Sequence, residues 1–249
     1  MTPIDEWLAA LEQRHLANLT RSEVTRALRA LSSCYVERRA KLRSGTALEG
    51  EGKRAAFALY YGPLHFLTVT EIVRALGAQE RAVRSIADLG CGTGVGGAAW
   101  ALACAARPAI EGIDASGWAV EEANRTYRAL GLRGRAKTGE LVRNFPSERS
   151  SGSAILLAYA INELHEDART TLLARLIAAG RAGTPFLIVE SIARRDKPWW
   201  AEWVDRLGVE GAREDEWRFR AVLPSLVEQL ARSAGLSHGE LTARTLARL

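Results

Sequence analysis

At 249 residues the chain can bury a full core as one large domain, or as one domain with a helical extension, and no second domain is required. Its 34 Lys and Arg against 29 Asp and Glu leave a formal charge of +5, but only four of those cations are lysine, so the balance reads first as a solvated mixed-charge surface and second as a phosphate-binding face. Cys34, Cys91 and Cys104 are odd in number and lack C-x-x-C spacing, which points away from a disulfide framework and from a zinc or iron-sulfur site; the longest apolar run, residues 98–106, is far short of the roughly 20 residues of a membrane span. The stretch Met1-Thr-Pro-Ile-Asp-Glu-Trp7 has neither a basic region nor an apolar run, so a cytoplasmic protein with no membrane partner is expected.

Residues 3–43 read as two amphipathic helices. Thr20-x-x-Glu23 is a capping box, after which Val24, Leu28, Leu31 and Tyr35 recur on one face. Residues 1–53 are expected to form a helical cap or lid, with 44–53, carrying Gly45, Gly50 and Gly52, as the linker to a domain over 54–249. Helical periodicity resumes at Arg54. Gly62-Pro63 predicts a break, with Pro63 opening a helix that runs to about Leu76 and stops at Gly77.

From Val83 strand and helix patterns alternate: a strand to Asp88, a helix over 96–106, a strand over 109–114, a helix over 117–130 and a third strand over 134–138. A fourth strand over 154–159, a helix over 167–179 and a fifth strand over 185–190 continue the series. The alternation predicts an α/β fold, a doubly wound and mostly parallel sheet with an N-terminal helical extension. In the tail, 224–234 reads as a helix stopped by Gly235, and 238–246 as a further strand. A second terminal strand is hard to find: either 215–222 supplies it, or the sheet has six strands.

The first strand ends in Asp88-Leu-Gly90-Cys91-Gly92-Thr-Gly94, a carboxylate followed by a glycine hinge. Gly92-Thr-Gly94-Val-Gly96-Gly97 also satisfies G-x-G-x-x-G, the pattern of a backbone that approaches a dinucleotide pyrophosphate at a helix start, so a nicotinamide oxidoreductase is one reading. Asp88 disfavours it. An acid at the strand's end repels a pyrophosphate but accepts hydrogen bonds from an amino acid's ammonium group, and S-adenosylmethionine carries that ammonium and no phosphate. Asp114 ends the next strand, 24 residues after Gly90, where ligands of open α/β sheets collect and where a carboxylate can hold both ribose hydroxyls.

Together D-L-G-C-G-T-G over 88–94 and G-I-D-A-S over 112–116 resemble the class I S-adenosylmethionine-dependent methyltransferases, across roughly residues 83–190. The resemblance implies S-adenosylmethionine as cofactor and methyl transfer as activity. It places Asp88, Gly90, Cys91, Gly92, Gly94, Asp114 and Ala115 around the cofactor, Glu140 near the adenine, and Tyr60, on the helix before the sheet, over the methionine end. Trp118 is a candidate cover for the adenine face or a packing residue.

Methyl transfer from a sulfonium disperses positive charge as the methyl leaves. A carboxylate against the sulfur would favour the ground state, so the acids are expected at the amino and ribose ends, with positioning as the main source of rate. The fourth strand delivers Tyr159-Ala-Ile-Asn162-Glu163-Leu-His165 to the edge where the methyl emerges. This is not N-P-P-Y/F, the pattern of adenine and glutamine-amide methyltransferases. Tyr159, Asn162, Glu163 and His165 are the catalytic candidates: Asn162 and Glu163 to orient a nucleophile, His165 as general base, against the plainer reading that His165 only starts a helix at Glu166. Trp199, Trp200 and Trp203 either stack on a planar substrate or bury against the sheet.

The acceptor expected is a small molecule with an oxygen, nitrogen or carbon nucleophile. Residues 159–169 and Val189-Glu190 also resemble the mitochondrial ribosomal small-subunit methyltransferase-like family. That resemblance implies an alternative, ribosomal RNA methylation or a noncatalytic role in ribosome assembly. The cysteine cluster of that family is missing here, which disfavours an iron-sulfur version of the role.

Overall fold

The computed structural model describes residues 2–37, 48–146, 152–193, 197–236 and 239–249, with the main chain alone for 34–37. One sheet organises them. Its strands are β1 (Ser85–Leu89), β2 (Ala109–Asp114), β3 (Gly134–Thr138), β4 (Ser153–Ala158), β5 (Phe186–Glu190), β6 (Arg213–Arg220) and β7 (Glu240–Arg248), in the order β3-β2-β1-β4-β5-β7-β6. The first five are parallel, and β7 runs antiparallel to both β5 and β6. The doubly wound α/β sheet expected from the alternation is the sheet observed, and the question of six or seven strands is settled at seven.

Composition explains which strands were legible. β5, Phe-Leu-Ile-Val-Glu, is buried at every position, and β4 is buried at its four central ones, as parallel strands covered on both faces must be. β6 is an edge strand of Arg-Glu-Asp-Glu-Trp-Arg-Phe-Arg in which exposed charges alternate with half-buried positions. Only Trp217 and Phe219, stacked 5.6 Å apart, pack on the core from it.

The helices are α1 (Pro3–His15), α2 (Arg21–Glu37), α3 (Glu51–Ala56), α4 (Gly62–Ala75), α5 (Val95–Ala103), α6 (Gly117–Ala129), α7 (Glu166–Arg181), α8 (Trp200–Gly208) and α9 (Ser225–Ala234). α1 to α6 and α9 pack over one face of the sheet and α7 and α8 over the other. Trp7 and Leu11 of α1 and Val24, Leu28 and Leu31 of α2 are buried in the same core as Ile86 and Ile110 of the sheet. The linker expected over 44–53 lies partly outside the described residues, as do the side chain of Tyr35 and the start of the last strand at His238; Glu51 already opens α3.

Gly62-Pro63 does not break the chain. A π-helical turn over Phe57–Tyr61 joins α3 to α4, and the Gly62 N–H bonds the Phe57 carbonyl five residues back. The widened turn lets Pro63, which has no N–H to donate, sit inside a continuous helical run. Such turns recur at functional sites, and this one faces the carboxyl end of the sheet.

α1 is fastened to α6 by charge. The Glu122 carboxylate, fully buried on α6, pairs with Arg14 and lies 3.3 Å from His15 Nε2. Burial alone would raise its pKa, but His15 and Arg14 hold it below the usual carboxylate range. Glu122→Ala leaves Arg14 and His15 without their shared acceptor, at a cost of about 2 kcal/mol for the lost bonds to a charged group. The melting temperature is expected to fall by roughly 4–8 °C in a calorimetric scan.

Candidate active site

The loop from β1 to α5 is held shut by its own backbone. Gly90 and Cys91 both donate N–H bonds to the Ile113 carbonyl at the end of β2, at 2.8 and 2.9 Å, and Gly94 donates to the Cys91 carbonyl at 2.8 Å. Gly90, Gly92 and Gly94 all have positive φ. Their reasons differ. A Cβ on Gly90 would lie 2.4 Å from that of Ala160, and one on Gly94 2.8 Å from the Tyr127 ring, so these two glycines are required for packing as well as for φ. A Cβ on Gly92 (φ +54°) would meet nothing within 4 Å. Gly92 thus borders open space at the carboxyl end of the sheet, where a ligand's atoms have room against bare backbone.

Asp114 closes the other side of that space. Its half-buried carboxylate accepts from Gly92 N–H and from Ser116 N–H, both at 2.8 Å, and so ties the glycine loop to the start of α6. Burial raises its pKa, and those two N–H groups oppose the rise. Ala115 beside it is exposed. Asp88 is placed differently from the expectation of direct contact with an ammonium. It is 1% exposed, lies under the loop and accepts from Gly97 N–H at 2.9 Å, anchoring the first turn of α5. Burial, with a further push from Asp114 and against the Gly97 bond, raises it to about 7. Cys91 is likewise buried, its thiol packed near Gly112 and Tyr127.

Tyr159 leaves β4 with φ +60°, a left-handed conformation that costs a non-glycine residue about 1–3 kcal/mol. Ile155 and Leu157, four and two residues earlier, bury toward α7 and α8, and alternation would send Tyr159 the same way. Instead its ring stacks on His65 of α4, centroids 3.9 Å apart at 16°, with its hydroxyl bonded to Thr68. Burial raises the Tyr159 phenol and lowers His65 to about 4, so the imidazole is neutral at ordinary pH.

Glu163 and Asn162 follow in a short 3-10 turn, Ile161–Glu163. Glu163 is exposed, and loss of hydration on the side facing the protein, then the charges of Asp114 and Glu190, raise its carboxyl to about 7. Glu190, 3% exposed at the end of β5, is also raised to about 7 by burial. Lys197 Nζ at 3.9 Å and the N–H groups of Asn162, Ile161 and Ser191 oppose that rise. His165 is exposed at the N-cap of α7, without a side-chain cap bond.

The remaining candidates are placed as follows. Tyr60 is wholly buried, edge-on to Tyr61 at 5.2 Å, and it is Tyr61 and Phe57 of the π turn that keep partial exposure. Glu140 is exposed and pairs with Arg143 at 3.1 Å. Trp199, Trp200 and Trp203 are buried against the sheet, Trp200 Nε1 donating to Glu214 Oε1 at 2.7 Å. Residues not singled out for the site are Phe57, His65, Thr68 and Glu190. The only local signal was Tyr60-Tyr-Gly-Pro-Leu-His65, where aromatics crowd a proline that cannot continue an ordinary helix.

Gly92→Val tests the open space directly. Valine at φ +54° strains the loop, but no protein atom blocks it, so the chain is expected to fold with a modestly lowered melt and to bind no S-adenosylhomocysteine in calorimetry.

Residues 86–183 match a family model described as a methyltransferase domain. No curated protein matches the sequence. Similar solved structures include a TehB-like SAM-dependent methyltransferase from Corynebacterium glutamicum, 16% identical over 73% of this chain and 88% of that one, with TM-score 0.46. The pyocyanin biosynthetic protein PhzM is 21% identical over 84% of this chain and 61% of its own, TM-score 0.48. The plantazolicin methyltransferase BpumL is 13% identical over 92% and 98%, TM-score 0.48.

Proposed function

Because residues 86–183 are a class I S-adenosylmethionine-dependent methyltransferase domain, we propose that the chain methylates a small molecule seated between the glycine loop and the aromatic residues of α4, with Glu163 receiving the acceptor's proton. The observation that carries this reading is the meeting of two features at one edge of the sheet, the free space at Gly92 and the Asp114 carboxylate bonded to the Gly92 N–H, with Glu163 close enough to Asp114 to feel its charge.

The chain's residues suit the cofactor's parts. Gly92 offers backbone without a side chain, Asp114 has lone pairs beyond its two N–H bonds for ribose hydroxyls, and Asp88 acts as a positioning residue that fixes α5 beneath them. Of the three glycines of G-x-G-x-x-G, two are explained by packing and not by a ligand: Gly94 clears Tyr127, and Gly97 clears Asp88 and Ile110, which leaves Gly92 alone facing open space. When bound, S-adenosylmethionine supplies an electrophilic methyl group. Tyr159 and His65, locked by stacking, form a fixed surface against which the acceptor is held, and this positioning is where most of the rate originates. Glu163, ionised above about 7, is the group able to take a proton as the acceptor reacts. His165, exposed at the start of α7, is the alternative proton acceptor.

The reading is tested with methyl-labelled cofactor offered against a small-molecule extract and against ribosomal RNA. Label is expected in the small-molecule fraction, and RNA binding should lack the steep loss with salt that released counterions produce. Label in RNA, or tight RNA binding that falls by orders of magnitude at moderate salt, overturns it in favour of the ribosomal alternative.

A further inference from the structure

The wall above the glycine loop is aromatic. Phe57, Tyr61, His65, Trp118 and Tyr159 come from the π turn, α4, α6 and the end of β4, yet neighbouring ring centroids lie between 3.9 Å (His65 to Tyr159) and 6.4 Å (Phe57 to Trp118). All five keep part of their surface open to solvent, unlike Tyr60 behind them. Gly62 seats this junction on the loop: a methyl there would lie 3.7 Å from Thr93 Oγ1 and 3.8 Å from Val95 Cγ1. Open ring faces and edges at this spacing accept a further flat ring.

The floor is acidic. Asp114 and Glu190 each act electrostatically on Glu163, and Glu190 on Tyr159 as well, which puts the three carboxyls within electrostatic reach of one another at this end of the sheet. Glu190 Oε1 is buried with no hydrogen-bond partner among the described residues. Lys197 offsets the charge of Glu190 from 3.9 Å, while its hydrogen bonds go to Ser191 Oγ at 2.7 Å and to the Ser191 and Ala193 carbonyls at 3.1 and 3.2 Å, leaving Asp114 and Glu163 as the acids without a cation of that kind beside them among the described residues. No group of three or more His, Cys, Asp or Glu among the described residues is arranged to hold a metal ion. An anionic acceptor would lose its hydration and meet like charge there, whereas a neutral or protonated nitrogen would find acceptors.

Resting on the methyl-transfer reading, we propose that the acceptor is a flat nitrogen heterocycle or aromatic amine, neutral or cationic, stacked in this wall with its nitrogen toward Glu163. The lone pair of a neutral nitrogen, or the pair freed when a protonated nitrogen first gives its proton to the Glu163 carboxylate, forms the new bond to the methyl carbon as the carbon–sulfur bond breaks, that bond's electron pair staying on the sulfur of a neutral thioether. The proton on nitrogen passes to the Glu163 carboxylate. Charge and atoms balance without a further reactant.

The test is binding by the full chain saturated with S-adenosylhomocysteine, using benzimidazole, benzoate and cyclohexylamine as probes, read by tryptophan fluorescence and calorimetry. Benzimidazole is expected to bind roughly tenfold more tightly than either of the others. Glu163→Gln should narrow the gap between benzimidazole and benzoate, and Phe57→Leu should weaken benzimidazole about fivefold, each variant first shown by a thermal melt to be folded. Should Phe57→Leu not fold, the Glu163→Gln arm still decides. Benzoate or cyclohexylamine binding as well as benzimidazole, no detectable benzimidazole binding, or an unchanged gap between benzimidazole and benzoate in Glu163→Gln would overturn the proposal. If S-adenosylhomocysteine itself does not bind, the methyl-transfer reading falls and this proposal with it; bound S-adenosylhomocysteine with the wrong probe order removes the acceptor class alone.

Discussion

Glu163→Gln is expected to lower turnover by about 10² to 10⁴, because the amide keeps the shape and the hydrogen-bond capacity of the side chain but cannot take a proton. The pH profile carries the sharper signature. Burial, Asp114 and Glu190 raise the Glu163 carboxyl from 4.5 to about 7, so the fraction able to accept a proton grows as pH rises through 7. Wild-type turnover should therefore climb over that range and level off above it, and the climb should vanish in the variant. His165→Ala serves as the comparison, expected to stay near wild-type turnover with the climb intact. The reverse pattern, with Glu163→Gln nearly unimpaired and His165→Ala slow and flat in pH, would move the proton acceptor to the start of α7. Loss of the climb in neither variant would leave positioning and the acceptor's own nucleophilicity as the whole source of rate.

Asp114→Ala should weaken S-adenosylhomocysteine binding about tenfold to a hundredfold, since a hydrogen bond to a charged group contributes about 1.5–3 kcal/mol. Two losses combine in that figure. The carboxylate no longer accepts from the ribose, and it no longer holds Gly92 N–H and Ser116 N–H, so the loop loses the tie that shapes it. Asp114→Asn separates them. The amide oxygen can still accept from one backbone N–H, so the loop should be better held while the charge is gone; an affinity between those of wild type and alanine is expected. Alanine and wild type binding alike, in a chain shown to be folded, would remove Asp114 from the site.

The parallel half of the sheet was legible because its strands are short apolar runs closed by Asp88 and Asp114, and its helices carry their own stops, such as Gly131. β6 was not, because an edge strand with one face in water alternates charges and leaves only Trp217 and Phe219 to signal burial. Pro63 misled for a different reason. A proline normally ends a helix, and nothing local shows that a five-residue turn will absorb its missing N–H.

At the site, the residue types were readable and their directions were not. A carboxylate at the end of a strand can point at a ligand, as Asp114 does toward the open space beside Gly92, or under a loop, as Asp88 does toward Gly97, and the two look the same in sequence. Tyr159 was found by its place after β4, but the partner it stacks on, His65, is 94 residues earlier and joined to it only by the left-handed turn. The raised acid at Glu163 depends on Asp114 and Glu190 from two other strands, a coincidence that tertiary structure alone brings together.

The most direct measurement of the central claim is calorimetric titration of S-adenosylhomocysteine into the full chain and into Gly92→Val, beside thermal melts of both. The structure predicts one site per chain in the wild type and no binding in a valine variant that still melts cooperatively. A wild-type chain that does not bind, or a valine variant that binds as the wild type does, would contradict it.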